Sequence, residues 1–87
     1  MPRMIATHEV DDVAHWLASP VREQVLGPIG VTNITTYIDS QNPSRVGLSM
    51  DVADVGAVMA FMQTPAAAEA MKGDGVRAET AVFLVEA

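Results

Sequence analysis

The stretch that decides the fold is Met4–Leu17, with the sequence Met-Ile-Ala-Thr-His-Glu-Val-Asp-Asp-Val-Ala-His-Trp-Leu. It passes from an extended apolar segment, through a pair of aspartates, into an amphipathic helical pattern. Both histidines of the chain and its one tryptophan lie within it. The alternation in its first half predicts a strand over Met4–Val10. One face of that strand would carry Met4, Ala6, His8 and Val10, and the other Ile5 and Thr7.

The second half of this stretch predicts the first helix. Asp11 or Asp12 is suited to cap it, because a carboxylate can accept hydrogen bonds from the free N–H groups of the first turn. Ser19-Pro20 then divides the region, since Ser favours the N-cap and Pro the first helical position. A second short helix is therefore predicted over Pro20–Leu26, followed by a turn at Gly27–Gly30. Helical spacing places on the inner face Val13, Trp16, Leu17 and Val21.

A later segment repeats this arrangement. Asp54 is the predicted cap of its first helix, and Thr64-Pro65 repeats the break between two helices. The following helix, over Ala66–Lys72, is expected to end at Gly73. Helical spacing places on the inner face Val55, Val58, Met59 and Met62, with Phe61 beside them.

Three further strands complete the pattern. They are predicted over Val31–Asp39, Arg45–Val52 and Ala78–Glu86, with a hairpin loop between the first two. The order of elements predicts one α+β domain over residues 1–87, with the ferredoxin-like βαββαβ fold of a four-stranded antiparallel sheet and helices on one face. Apolar side chains on both sides of the strands predict a homodimer, in which the second face meets the sheet of an identical chain.

Composition narrows the possible functions. The 87 residues have a net charge of −6 and only five Lys and Arg residues, which are scattered, so neither nucleic acid nor a membrane is a predicted partner. The absence of cysteine excludes disulfides and thiolate sites, and it predicts a cytoplasmic location. No phosphate-binding loop or dinucleotide motif is present, and no cofactor is predicted.

Several short motifs carry a family resemblance through their order. They are His8-Glu9-Val10-Asp11 followed by Trp16, then Gly30, Asn42-Pro43, Val52-Ala53-Asp54, Thr64-Pro65 and the final Phe83-Leu84-Val85-Glu86. In this order the chain resembles the dimeric α+β barrel superfamily, which includes the antibiotic-biosynthesis-type monooxygenases, and especially its small uncharacterised members. The resemblance implies a homodimer whose two sheets close into a barrel, with a pocket between each sheet and its helices. It implies no single reaction, because the superfamily covers oxygenases, cyclases and isomerases.

His8 is the candidate catalytic residue. Its strand face is largely apolar, so the imidazole could transfer a proton inside a pocket, or it could be a structural histidine held by hydrogen bonds. Candidates for binding a small apolar, aromatic or polyketide-like ligand are Trp16, Asn33, Tyr37, Met50, Met59 and Met62. Trp16 could instead belong to the core, and Asn33 and Tyr37 could make ordinary cross-strand contacts rather than form a polar set with His8.

The predicted function is cofactor-independent oxygenation, cyclisation or isomerisation of that ligand, and the alternative is a non-catalytic dimeric binding module. An N-terminal-proline tautomerase, with Pro2 as the base, is less favoured because the order of elements differs. No metal site is predicted, since Asp11 and Asp12 are better suited to capping a helix. Arg22 and Glu79 are expected at the solvated surface.

Overall fold

The computed structural model describes residues 2–87. Its strands are β1 (Arg3–Val10), β2 (Val31–Ile38), β3 (Arg45–Val52) and β4 (Val76–Val85). Its helices are α1 (Val13–Ala18), α2 (Val21–Leu26), α3 (Val55–Phe61) and α4 (Pro65–Gly73). A short 3₁₀-helix over Gly27–Ile29 occupies most of the predicted turn before β2.

The strands form one antiparallel sheet of four strands in the order β2-β3-β1-β4. The two central strands, β1 and β3, are therefore paired on both sides, with Met4 opposite Met50 and Ala6 opposite Leu48. This sheet order, with a divided helical region after β1 and another after β3, is the predicted ferredoxin-like arrangement.

Alternate side chains of the central strands form the core beneath the helices. The predicted inner face of β1 is confirmed, because all four of its side chains are buried, His8 included. Trp16 of α1, Leu26 of α2 and Val58 of α3 pack against these strands. Burial of such side chains is the main source of stability in a domain of this size.

The predicted helix caps are confirmed at three positions. The side chains of Asp12, Asp54 and Thr64 each accept a hydrogen bond from the backbone N–H three residues later. Pro20 differs from the prediction, since it is the N-cap of α2 rather than its first helical residue. The placement of Leu17 on the inner face was wrong. Helix α1 has only six residues, and it buries Trp16 while Leu17 remains 45% exposed.

A bulge near the start of β2 shifts its register against β3. Thr32 lies opposite Asp51 but Thr35 lies opposite Ser49, so β2 contains one extra residue between them. Asn33, within this bulge, has a φ of 54°, in the left-handed region that Asn tolerates better than most residues.

The sheet face opposite the helices, here called the open face, is exposed in the described part of the chain. Ile5 of β1 lies opposite Leu84 of β4, and Thr7 lies opposite Val82. The large apolar side chains exposed on this face are Ile5, Tyr37, Val82 and Leu84. A sheet with both faces apolar and only one covered has surface left to bury.

Candidate functional site

His8 lies on the helix-facing side of β1 and is only 7% exposed. Its imidazole meets Trp16 edge to face, with ring centroids 5.6 Å apart and planes inclined at 81°. Its Nδ1 atom is buried and makes no hydrogen bond with residues 2–87. Buried polar atoms are normally satisfied, so the unpaired state of this nitrogen is unusual.

Trp16 connects His8 to a second buried polar side chain, Arg22 of α2. The Arg22 Cζ atom lies 4.2 Å from the centroid of the Trp16 ring, a cation–π contact. Arg22 Nη1 also donates a 2.8 Å hydrogen bond to the backbone carbonyl of Trp16. The ring and the carbonyl of Trp16 therefore hold one guanidinium group in place.

The expectation that Arg22 is solvated was wrong, because this residue is only 8% exposed. Arg22 precedes Val25 and Leu26 by three and four residues in α2, so it lies on the helix face that packs on the core. That spacing was the signal available in the sequence. Its Nε atom is buried without a hydrogen-bond partner among residues 2–87.

Asp74, at the end of α4, supplies the opposite charge. It is 5% exposed, and its Oδ2 atom lies 4.0 Å from Nη1 of Arg22. This distance is too long for a hydrogen bond. Asp74 therefore compensates the charge of Arg22 only in part.

The environment of His8 keeps its imidazole neutral. Burial lowers the pKa of His8 below its usual value of 6.5, and the positive charge of Arg22 lowers it further. The neighbouring backbone of Glu9 and the carboxylate of Asp74 act in the opposite direction without cancelling this shift. A neutral buried imidazole can accept a proton near pH 7.

This lowered pKa gives stability a defined pH dependence. In the unfolded chain His8 takes up a proton near pH 6.5, whereas in the folded chain it does so only at lower pH. The contribution of neutral His8 to the free energy of unfolding is therefore fully present above pH 6.5. It is lost as the pH falls from there toward the folded pKa. The loss from His8 is at most about 1.4 kcal/mol per pH unit. We expect urea unfolding to show that the free energy of unfolding falls less between pH 8 and pH 5 in His8→Gln than in the wild type.

The matched control is His15→Gln, which removes the other, exposed histidine and keeps His8. This variant should lose stability with falling pH as steeply as the wild type. Equal slopes in the His8→Gln variant and the wild type would show that His8 does not resist protonation.

A cavity of about 80 Å³ lies between the sheet and the helices, and we call it the helix-side cavity. His8, Trp16, Arg22 and Asp74 contribute to its wall. The rest of the wall is almost wholly apolar, and it includes Ala6, Leu48, Met50, Val58, Phe61 and Phe83. One neutral base, one cation and one carboxylate thus lie at a small apolar site.

The structure brings four of the seven predicted site residues to this cavity: His8, Trp16, Met50 and Met62. Met59 does not line it. This side chain is 38% exposed on α3, whereas Val58 and Phe61 occupy the inner positions. Helical spacing alone could not show that Met59 is less buried than Val58 and Phe61, because α3 has only seven residues.

Tyr37 lies on the open face and Asn33 lies in the β2 bulge, so the expected polar set with His8 does not form. Tyr37 lies opposite Gly47, between two β3 residues that face the helices, and its hydroxyl oxygen is 3.1 Å from Ser49 Oγ. Asn33 Nδ2 donates a 2.7 Å hydrogen bond to Asp51 Oδ2. Strand alternation directs Tyr37 away from the helix-side cavity, and neither side chain lines it.

Other possible sites are weakly supported by the geometry. Pro2 is exposed and does not line the helix-side cavity. Between residues 2 and 87, no three His, Asp or Glu side chains come together in a way that could hold a metal ion. None of the helices in this range combines the length and the apolar character needed to cross a bilayer.

Solved structures of similar fold cover nearly the whole chain. A protein from Bordetella bronchiseptica, provisionally named an antibiotic biosynthesis monooxygenase, has a TM-score of 0.73 and 21% identity over 99% of this chain and 94% of its own. A dimeric ferredoxin-like protein of unknown function from Jannaschia sp. CCS1 has a TM-score of 0.65 and 12% identity, over 99% and 97%. The chain has the ferredoxin-like fold.

A third structure of similar fold, from Nitrosomonas europaea, also bears the provisional name of antibiotic biosynthesis monooxygenase. It has a TM-score of 0.66 and 16% identity, over 100% of this chain and 97% of its own. These structures agree in fold with the resemblance that the sequence motifs indicated, and at such identities they establish the ferredoxin-like fold alone. No protein-family model and no curated protein sequence matches the chain.

Proposed function

We propose that the protein binds a small, largely apolar molecule in the helix-side cavity and that His8 accepts a proton from it. The observation that carries this proposal is a buried imidazole, with an unpaired Nδ1, in the wall of an apolar cavity. General bases work best when they are unprotonated at the working pH and lie within reach of the acidic group. Exclusion of water from the cavity would strengthen this proton transfer.

The ligand class follows from the cavity wall. Its largely apolar side chains favour an aromatic or polyketide-like molecule, and about 80 Å³ is far below the ~300–1,000 Å³ of pockets for drug-sized ligands. We therefore favour a molecule with a single ring, or a part of a larger molecule of that size.

Removal of a proton next to a carbonyl would give an enolate, which could undergo cyclisation, isomerisation or reaction with dioxygen without a cofactor. Two structural neighbours bear names of antibiotic biosynthesis monooxygenases, which fits this chemistry.

A homodimer formed through the open face is the second part of the proposal. Ile5 and Leu84 lie opposite each other on this face, and both are about half exposed. An identical open face would cover them by two-fold symmetry, and one structural neighbour is described as dimeric. We also propose that this homodimer is cytoplasmic, as the cysteine-free sequence predicts.

The experiment that tests the role of His8 measures proton abstraction directly. In D₂O, phenylacetone, a ketone with a single ring, exchanges the protons between its ring and its carbonyl for deuterium, and proton NMR follows the loss of their signal. We expect the wild-type protein to accelerate this exchange and His8→Gln to reduce the acceleration by about 10²–10⁴-fold. This readout precedes any oxygenation or cyclisation step, so it does not require the natural ligand.

His15→Gln is the control, since it removes a histidine outside the helix-side cavity. It should retain the wild-type rate. Equal acceleration by the wild type and the His8→Gln variant would exclude His8 as the base. Binding of phenylacetone without any exchange would instead favour the non-catalytic binding module.

A further inference from the structure

We propose that Arg22 is the anion-binding residue of the helix-side cavity and that the ligand is a small apolar monocarboxylate. This inference rests on the proposed function for the location of the ligand. It adds a chemical class to that function and assigns Arg22 a role in specificity. In this arrangement the carboxylate of the ligand pairs with Arg22, and its apolar body lies among the remaining side chains.

The guanidinium group of Arg22 is already fixed before any ligand binds. Trp16 holds it through the ring contact at 4.2 Å and through the 2.8 Å hydrogen bond to its carbonyl oxygen. A long arginine side chain normally loses rotamer entropy when it is ordered, and here that entropy is lost during folding. The affinity for an anion is therefore not reduced by ordering of Arg22.

The hydrogen-bonding capacity of Arg22 is incompletely used. Its Nε is buried and has no partner among residues 2–87, and Asp74 stays 4.0 Å from Nη1. A buried charge without full compensation is costly, and charge-assisted hydrogen bonds to a carboxylate are the strongest that arginine makes. An anionic group that reaches Arg22 would relieve this deficit.

The rest of the site limits the ligand to one negative charge. His8 is neutral, so among residues 2–87 Arg22 is the one positively charged side chain in the cavity wall. Asp74 is a carboxylate in the same wall, so it competes with an anionic ligand for Arg22, and a second anionic group would be repelled with no other cation to pair with. A monocarboxylate with an apolar body therefore fits this wall better than a dianion does, because one cation and an apolar lining are available to it.

Trp16 provides a direct probe of binding, because it is the one tryptophan of the chain and touches Arg22. We would titrate the protein with benzoate and with its neutral analogue benzamide at constant ionic strength, following tryptophan fluorescence. Benzoate should bind at least about 10-fold more tightly than benzamide, the preference expected of one charge-assisted hydrogen bond. Neither probe requires catalysis by His8.

Two substitutions should move this preference in opposite directions. Arg22→Met keeps an unbranched apolar side chain in the cavity and should remove the preference for benzoate. Asp74→Asn removes the competing carboxylate and should tighten benzoate binding several-fold relative to benzamide binding. Arg45→Met is the matched control for loss of one positive charge, because Arg45 belongs to β3 and does not line the helix-side cavity.

The outcomes separate the two proposals. If both probes bind the wild type equally, the carboxylate class is wrong while the cavity remains a binding site. If neither probe binds, the inference and the proposed ligand site both fail. If Arg22→Met does not fold, Asp74→Asn decides the matter, because unchanged or weaker benzoate binding in that variant overturns the role of Arg22.

Discussion

Trp16→Ala is expected to lower the free energy of unfolding by about 3–5 kcal/mol, the usual cost of removing a buried tryptophan. Trp16 is 1% exposed and is one of the largest fully buried side chains. The substitution would leave a void beside His8 and would remove the ring that stacks on Arg22. A domain of 87 residues has only a modest total stability, so urea unfolding should detect the loss without difficulty.

Leu17→Ala is the matched control for this prediction. Leu17 is the next residue of α1, but its side chain is 45% exposed, so truncation should cost less than about 1 kcal/mol. If both variants lost the same free energy of unfolding, Leu17 would contribute as much to the packing of α1 as Trp16 does, and the prediction would be wrong.

The sequence predicted the fold well because its signals are local. Alternation in β1, the aspartate caps of α1 and α3 and the Thr64 cap of α4 each depend on residues within one turn or strand. Leu17 was misplaced because a helix of six residues is too short to present a full apolar stripe.

The candidate site was predicted less completely because it depends on contacts between distant elements. His8 and Trp16 were placed correctly by strand and helix periodicity, and both line the helix-side cavity. Tyr37 was expected beside His8, but strand pairing sends it to the other face of the sheet. Arg22 was assigned to solvent on residue type alone, although its spacing in α2 placed it on the inner face; its ion-pair partner Asp74 is distant in sequence and could not be foreseen.

Leu84→Glu is expected to convert the proposed homodimer into a monomer. Leu84 is 55% exposed on the open face, opposite Ile5 of the neighbouring strand. Two-fold symmetry would bury two new carboxylates in each dimer, and unpaired buried charges cost several kcal/mol. We expect the dissociation constant, measured by analytical ultracentrifugation, to rise at least about 100-fold.

Met59→Glu is the control for this substitution, because Met59 is a partly exposed apolar residue on helix α3, away from the open face. It introduces the same charge and should leave the dimer intact. Because Leu84 is already exposed in the single chain, Leu84→Glu should also leave the folded monomer stable, with an unchanged circular dichroism spectrum. Dissociation with retained structure therefore identifies the open face as the interface, whereas a Leu84→Glu protein that stays dimeric places the interface elsewhere.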